Sequence, residues 1–171
     1  MQDTLFRPKA FLFDLNGTMI DDMRYHNDAW YSVLTEKLGV DITYENVKKE
    51  MYGKNEELLI RVFGSNHFTP QEAHEISMDK ERRYQRAFLP SLKLIDGLHD
   101  FLAKAKKHGL KMAIGSAAIP FNIDFVIDGL QIRPYFEAIV SADDVKLSKP
   151  DPETFLNAAI ALGVKPEECV V

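Results

Sequence analysis

The 171-residue sequence predicts an α/β fold, and three observations carry that prediction. Short, mostly apolar runs recur at Phe11-Leu12-Phe13, Lys111-Met112-Ala113-Ile114, Ala138-Ile139-Val140 and Cys169-Val170-Val171. The first, without apolar–polar alternation, reads as a strand buried on both faces, as in a parallel sheet. Helical segments alternate with the later runs: Gly97 to Lys107, Asn122 to Leu130 and Pro152 to Leu162. Such alternation builds a parallel, Rossmann-like sheet with right-handed crossovers. Between the first run and the rest, no strand pattern interrupts the chain. The prediction is therefore a core from residues 1-19 and 89-171, with an all-helical cap, 20-88, inserted after the first strand.

Within the insertion, local signals delimit the helices. One runs from Tyr25 to Leu38 and closes with Gly39, and Thr43 caps a second over Tyr44 to Met51. Glu56 to Phe63 closes with Gly64, with Asn55 as its expected N-cap. Thr69-Pro70-Gln71-Glu72 supplies an N-cap, a first-turn proline and a capping-box glutamate for the fourth. Met51, Met78 and Met112 fall on apolar faces as packing residues. Lys104, Lys106, Lys107 and His108 form the basic end of a helix that Gly109 stops, which favours the helix dipole and needs no ligand.

The chemistry concentrates where the strands end. Phe13 leads into Asp14-Leu15-Asn16-Gly17-Thr18, which offers a carboxylate, an amide, a glycine and a hydroxyl at the carboxyl end of a parallel strand. Ligand crevices form there in open α/β sheets. Asp14 is a candidate nucleophile that can attack phosphorus, provided a cation offsets the repulsion between two anions. The bland alternative is a strand-end Asx turn. Ser116, followed by Ala117 and Ala118, can hold a phosphoryl oxygen with the succeeding N–H groups, or act as an ordinary N-cap. Lys149 precedes Pro150, which forces extended backbone, and Pro152 suits a helix start. A lysine held there can bridge a carboxylate and a phosphate, whereas a solvated lysine is the plain reading.

In this order, the segments around Asp14, Ser116 and Lys149 resemble the haloacid dehalogenase-like superfamily, and its β-phosphoglucomutase-like branch in particular. The resemblance runs from about Lys9 to Val171 and includes Tyr25-His26 and Trp30. It implies Asp14 as nucleophile, Ser116 as phosphate-binding hydroxyl and Lys149 as charge-balancing lysine. It also implies Mg²⁺ as cofactor, with Asp14 and the backbone carbonyl of Asn16 among its ligands. Asn16 stands where the family carries an aspartate that acts as general acid and base. Glu56 stands where mutases of the branch carry an arginine for the second phosphate.

The resemblance further implies that the strand at Cys169-Val170-Val171 leads into an acidic, metal-ligating motif. Because a central apolar strand rarely terminates a protein, the chain is expected to be part of a longer one, truncated after a core strand. The helical insertion reads as a lid hinged near Thr18 to Asp22 and Phe88 to Pro90, closing over the strand ends and choosing the substrate. Its expected contacts are His26, Tyr52, Gly53, Lys54, Glu56 and Lys80, joined by Ala117 from the core. Without the resemblance, a solvated helix face is the better reading of both His26 and Lys80.

Composition narrows the partners. With 46% hydrophobic and 27% charged residues the chain can bury a core, and its net charge of −5 leaves no basic footprint for nucleic acid. The single Cys169 cannot form an internal disulfide, which suits a reduced cytoplasm. No apolar run has membrane-spanning length, and no secretory segment precedes Arg7 and Lys9. His67, His74, His99 and His108 show no metal-ligand spacing. The expected function is magnesium-dependent hydrolysis of a small phosphorylated metabolite by a protein that is monomeric at full length. Phosphosugar mutase comes second, and a non-catalytic phosphometabolite-binding form, favoured by Asn16, is the reading from another class. A dehalogenase using Asp14 and a phosphonate hydrolase using Lys54 rank lower.

Overall fold

The computed structural model describes residues 6–171, so residues 1–5 of the expected core lie outside the described part. The chain divides into two compact units, one comprising the chain through Ile20 together with Lys93–Val171, the other Asp21–Leu92. The second boundary falls later than residue 88 because a 3₁₀ turn, Leu89–Ser91, continues the preceding helix and stays with the helical unit. The Tyr25 hydroxyl donates to Ser91 Oγ at 2.9 Å, which ties that turn to the start of the unit.

Among the described residues the α/β unit carries four parallel strands: β1 (Ala10–Phe13), β2 (Lys111–Gly115), β3 (Ala138–Val140) and β4 (Cys169–Val170). Their order is β3-β2-β1-β4, with Ala10 opposite both Lys111 and Cys169. Among the described residues β4 is an edge strand paired with β1 alone.

The expectation that β1 is buried on both faces needs correction. Ala10 and Leu12 are buried, while Phe11 and Phe13 are half-buried. The buried face packs with Ala113 and Val140 against Ala158, Ala159 and Leu162, on and just after helix α7 (Glu153–Ala161); the helix numbers follow chain order. Small side chains on α7 let it approach the sheet closely. Leu12 at 4% exposure is tightly enclosed, and truncation to Ala there costs about 2–5 kcal/mol. On the other face, Phe101 lies edge-on to Phe11 and Phe13 at 5.1 and 6.2 Å, and Phe136 edge-on to Phe13 at 5.9 Å. Aromatic edges cover that face without sealing it. Phe101 belongs to α5 (Leu98–Lys107), and α6 (Pro120–Gly129) follows β2.

The helical unit holds α1 (Met23–Ser32), α2 (Tyr44–Glu50), α3 (Asn55–Phe63) and α4 (Pro70–Phe88). Trp30, Val33, Leu34, Val47, Leu58, Leu59 and Ile76 form its core. The first helix departs from the expected single run to Leu38, because α1 widens into a π-helical stretch, Val33–Lys37, closed by Leu38 N–H on Val33 O at 3.1 Å. Thr43 caps α2 and the Thr69–Glu72 capping box opens α4. Asn55 is not the cap of α3. Lys54 holds that position, its N–H donated to Glu57 Oε2 at 3.0 Å, and Asn55 begins the helix.

Candidate functional site

Asp14 follows the last residue of β1 and is held from two sides. Beyond it the chain turns back at once: Met19 N–H reaches Leu15 O at 2.9 Å, and Gly17 takes φ 71°, a left-handed value that suits glycine. This turn brings the Thr18 hydroxyl to Asp14 Oδ2 at 3.0 Å. Across the sheet, Lys149 Nζ donates to Asp14 Oδ1 at 2.7 Å and to Gly115 O at 3.0 Å. The solvated-lysine reading of Lys149 therefore fails. The side chains of Asp14 and Lys149 keep 35% and 26% exposure, so the pair is not sealed from a ligand.

The segment bearing Lys149 is fixed by carboxylates. After β3, Ser141 Oγ donates to Asp144 Oδ2 at 2.6 Å and Ser141 N–H to the same oxygen at 2.7 Å. The Ser141 hydroxyl, then its amide, hold the Asp144 carboxyl below its ordinary range. Glu153 Oε2 accepts the N–H groups of Lys146 at 3.0 Å and Leu147 at 2.8 Å, and Asp151 Oδ1 accepts from Glu153 N–H at 2.9 Å. The approach to the lysine is thus tied to the first turn of α7. The sequence pattern assigned no role to Ser141, Asp144 or Glu153, and gave Thr18 a place at a hinge rather than on the Asp14 carboxylate. Of these, only the hydroxyl four residues after Asp14 left a local signal.

Ser116 directly follows β2 and is buried. Its N–H donates to Val140 O at 2.9 Å, its Oγ accepts from Ala118 N–H at 3.0 Å, and it stands 3.5 Å from Asn16 Oδ1. It does not cap α6, whose cap position is Ile119; instead it shapes the Ser116–Ala118 turn, where Ala117 is exposed. Asp14, Asn16, Ser116 and Lys149 come together at the carboxyl ends of β1 and β2.

Among the described residues no three His, Cys, Asp or Glu side chains converge as a metal centre. Asp14 and the backbone carbonyl of Asn16 offer oxygens, and Lys149 and Thr18 occupy one direction on each Asp14 carboxylate oxygen. A hard cation that keeps several waters fits such a set, with Asp14 and the Asn16 carbonyl as the residues that would hold it.

The remaining predicted residues lie in the helical unit. His26 and Lys80 are buried, against the solvated-face reading, because a charged cluster forms around them. Lys80 Nζ sits 2.7 Å from His26 Nδ1 and 3.1 Å from both Glu81 carboxylate oxygens. His26 Nε2 lies 3.3 Å from Asp22 Oδ2, which also accepts from Tyr84 OH at 2.7 Å, and the His26 ring stacks on Tyr84 at 3.7 Å. Asn55 Nδ2 completes the set with a bond to Glu81 Oε1 at 2.7 Å. Burial, then the neighbouring ammonium, lower the His26 pKa, and burial lowers that of Lys80. Gly53, at φ 72°, and Lys54 form the loop between α2 and α3. Glu56 lines a groove of about 290 Å³ with Leu59, Ile60, His67, Phe68 and Pro70.

The profile of the haloacid dehalogenase-like hydrolases matches residues 8–171. A β-phosphoglucomutase of Bacillus subtilis is 32% identical over 94% of this chain and 73% of its own. A fructose-1-phosphate phosphatase of Escherichia coli is 29% identical over 96% of this chain and 86% of its own. The crystal structure of a β-phosphoglucomutase from Clostridium difficile superposes with a TM-score of 0.81 at 28% identity, covering 95% of this chain and 74% of that one. The parallel sheet, the helical insertion and these similarities establish that the chain belongs to the haloacid dehalogenase-like hydrolase family, as an enzyme of its β-phosphoglucomutase-like branch of phosphatases and mutases.

Proposed function

We propose that the chain carries out magnesium-dependent phosphoryl transfer from a small phosphorylated metabolite, a sugar phosphate in the first instance, with hydrolysis as the outcome. The observation that carries this reading is the 2.7 Å contact between Lys149 Nζ and Asp14 Oδ1. A carboxylate must approach an anionic phosphoryl group, and the ammonium offsets that repulsion. The fructose-1-phosphate phosphatase and β-phosphoglucomutase relatives support a phosphorylated sugar as substrate.

In this mechanism a carboxylate oxygen of Asp14 attacks phosphorus in line, the P–O bond to the metabolite breaks, and an aspartyl-phosphate forms. Water then attacks phosphorus, releasing phosphate and regenerating the carboxylate. Thr18 and Lys149 orient the nucleophile, and Ser116 holds the phosphoryl oxygens with the turn at Ala117. Magnesium, held by Asp14 and the Asn16 carbonyl, would supply charge neutralisation for the transferring group. Residue 16 has no ionisable side chain, so the departing alkoxide takes its proton from solvent water.

Asn16 favours a second reading, a form that binds phosphorylated metabolites better than it turns them over. The test is hydrolysis of p-nitrophenyl phosphate with and without magnesium, combined with intact-protein mass measurement after rapid quenching. Magnesium-dependent release of nitrophenol and one phosphoryl adduct, both absent in Asp14→Asn, are expected. Ligand binding without any adduct favours the binding form, and an adduct that survives Asp14→Asn overturns the assignment of the nucleophile.

A further inference from the structure

We infer that Phe155, seated against the bare backbone of Gly115, is the positioning residue for the Lys149 ammonium; the inference rests on the phosphoryl-transfer reading above. Lys149 Nζ stands 4.5 Å from the centroid of the Phe155 ring. Two of its contacts go to oxygens, Asp14 Oδ1 at 2.7 Å and Gly115 O at 3.0 Å. The ring supplies a third, attracting the cation through its quadrupole, and the attraction strengthens where the charge is partly desolvated. A lysine stem has four flexible carbons, so without such a seat the ammonium samples many positions around the carboxylate.

Gly115 gives a second, independent sign of the same arrangement. A Cβ at residue 115 would come within 3.0 Å of Phe155 Cδ1, 3.1 Å of Cε1 and 3.2 Å of Thr154 Cγ2. Any side chain there pushes the ring away from its place. Since the carbonyl of the same glycine accepts from Lys149, residue 115 sets both the ring and one of the lysine's acceptors. Phe155 also packs against the core cluster of β1, β2 and α7. If it did no more than that, changing it would lower stability and leave the chemistry of the folded protein intact.

Three variants separate these roles: Phe155→Leu keeps apolar bulk, Phe155→Tyr keeps the ring, and Gly115→Ala keeps Phe155 but displaces it. With p-nitrophenyl phosphate, kcat should fall about tenfold in Phe155→Leu and Gly115→Ala with KM changed less than about twofold, and Phe155→Tyr should restore it. A readout independent of activity is the Lys149 ammonium resonance in ¹⁵N-lysine spectra, assigned by its loss in Lys149→Met. It should be sharp in the original and Tyr forms and broadened in the other two. Variants that unfold earlier but keep the original kcat and a sharp Lys149 signal overturn the inference; if Phe155→Leu does not fold, Gly115→Ala alone decides it. If no form hydrolyses the phosphate while the resonance still follows the ring, the reaction assignment fails and the positioning role stands.

Discussion

Lys149 Nζ lies 2.7 Å from Asp14 Oδ1 across 135 residues of chain. Both side chains remain partly exposed, so this ion pair contributes only about 0–1 kcal/mol to stability. Its value lies in placing a positive charge where a second anion must arrive. Lys149→Met should therefore leave the unfolding midpoint nearly unchanged while lowering kcat/KM by roughly 10²–10³-fold, the scale of losing one electrostatic stabiliser. Thermal unfolding and steady-state kinetics on the same preparation check this, and unchanged kinetics would leave the pair a surface contact.

Asn16→Asp introduces a group able to protonate the departing oxygen and to take a proton from the attacking water, while the backbone carbonyl is unaltered. Turnover should rise by roughly 10²–10⁴-fold with little change in ligand affinity. Rates measured with a good and a poor leaving group test it: the gain should be larger for the poor one. Equal rates for both forms mean that the proton is handled elsewhere.

Ser116 is 1% exposed and its Oγ accepts the Ala118 N–H, so Ser116→Ala removes an acceptor that shapes the turn. Loss of that bond should cost about 1–3 kcal/mol. It should also weaken binding of inorganic phosphate, measured by calorimetry. A variant with lowered stability and unaltered phosphate affinity would restrict Ser116 to the turn.

In the helical unit, Lys80→Met leaves the buried Glu81 without its ammonium partner and should destabilise that unit by about 3–5 kcal/mol, as breaking a buried pair does. Because the folded state lowers the His26 pKa below the ordinary 6.5, the unfolded chain takes up a proton first as pH falls. The contribution of His26 is complete above pH 6.5 and declines from there towards its folded pKa. Urea unfolding at pH 8, 6.5 and 5 should show falling stability below 6.5, with a shallower fall in His26→Gln. An identical pH profile in that variant would assign the acid sensitivity to other groups.

Much of this architecture was legible in local signals. The runs at β1, β2 and β3 announce strands because a chain buried in a sheet has few places for polar residues. Thr43 and the Thr69–Glu72 box mark helix starts because a cap and its partner lie three residues apart and satisfy one another wherever the helix is placed. The π-helical stretch Val33–Lys37 carried no such mark, and the expected helix ran through it. Lys54 displaced Asn55 from the cap of α3 because the Asn55 side chain bonds to Glu81, a residue 26 positions away.

By itself, the sequence determined the strand–helix order, the helix starts at Thr43 and Thr69 and the set of polar residues that terminate β1 and β2, since these follow from periodicity, capping and backbone preference within a few residues. Only the tertiary structure decided that Lys149 meets Asp14 rather than solvent, that Thr18 closes the other side of that carboxylate, that Phe155 lies beneath the ammonium, and that His26 and Lys80 are buried together. The Thr18 turn and the nearby Phe155 excepted, each of these joins positions that are distant in sequence. Burial and ion pairing are properties of the surroundings, and for a side chain those surroundings exist only once the sheet and the helices have packed.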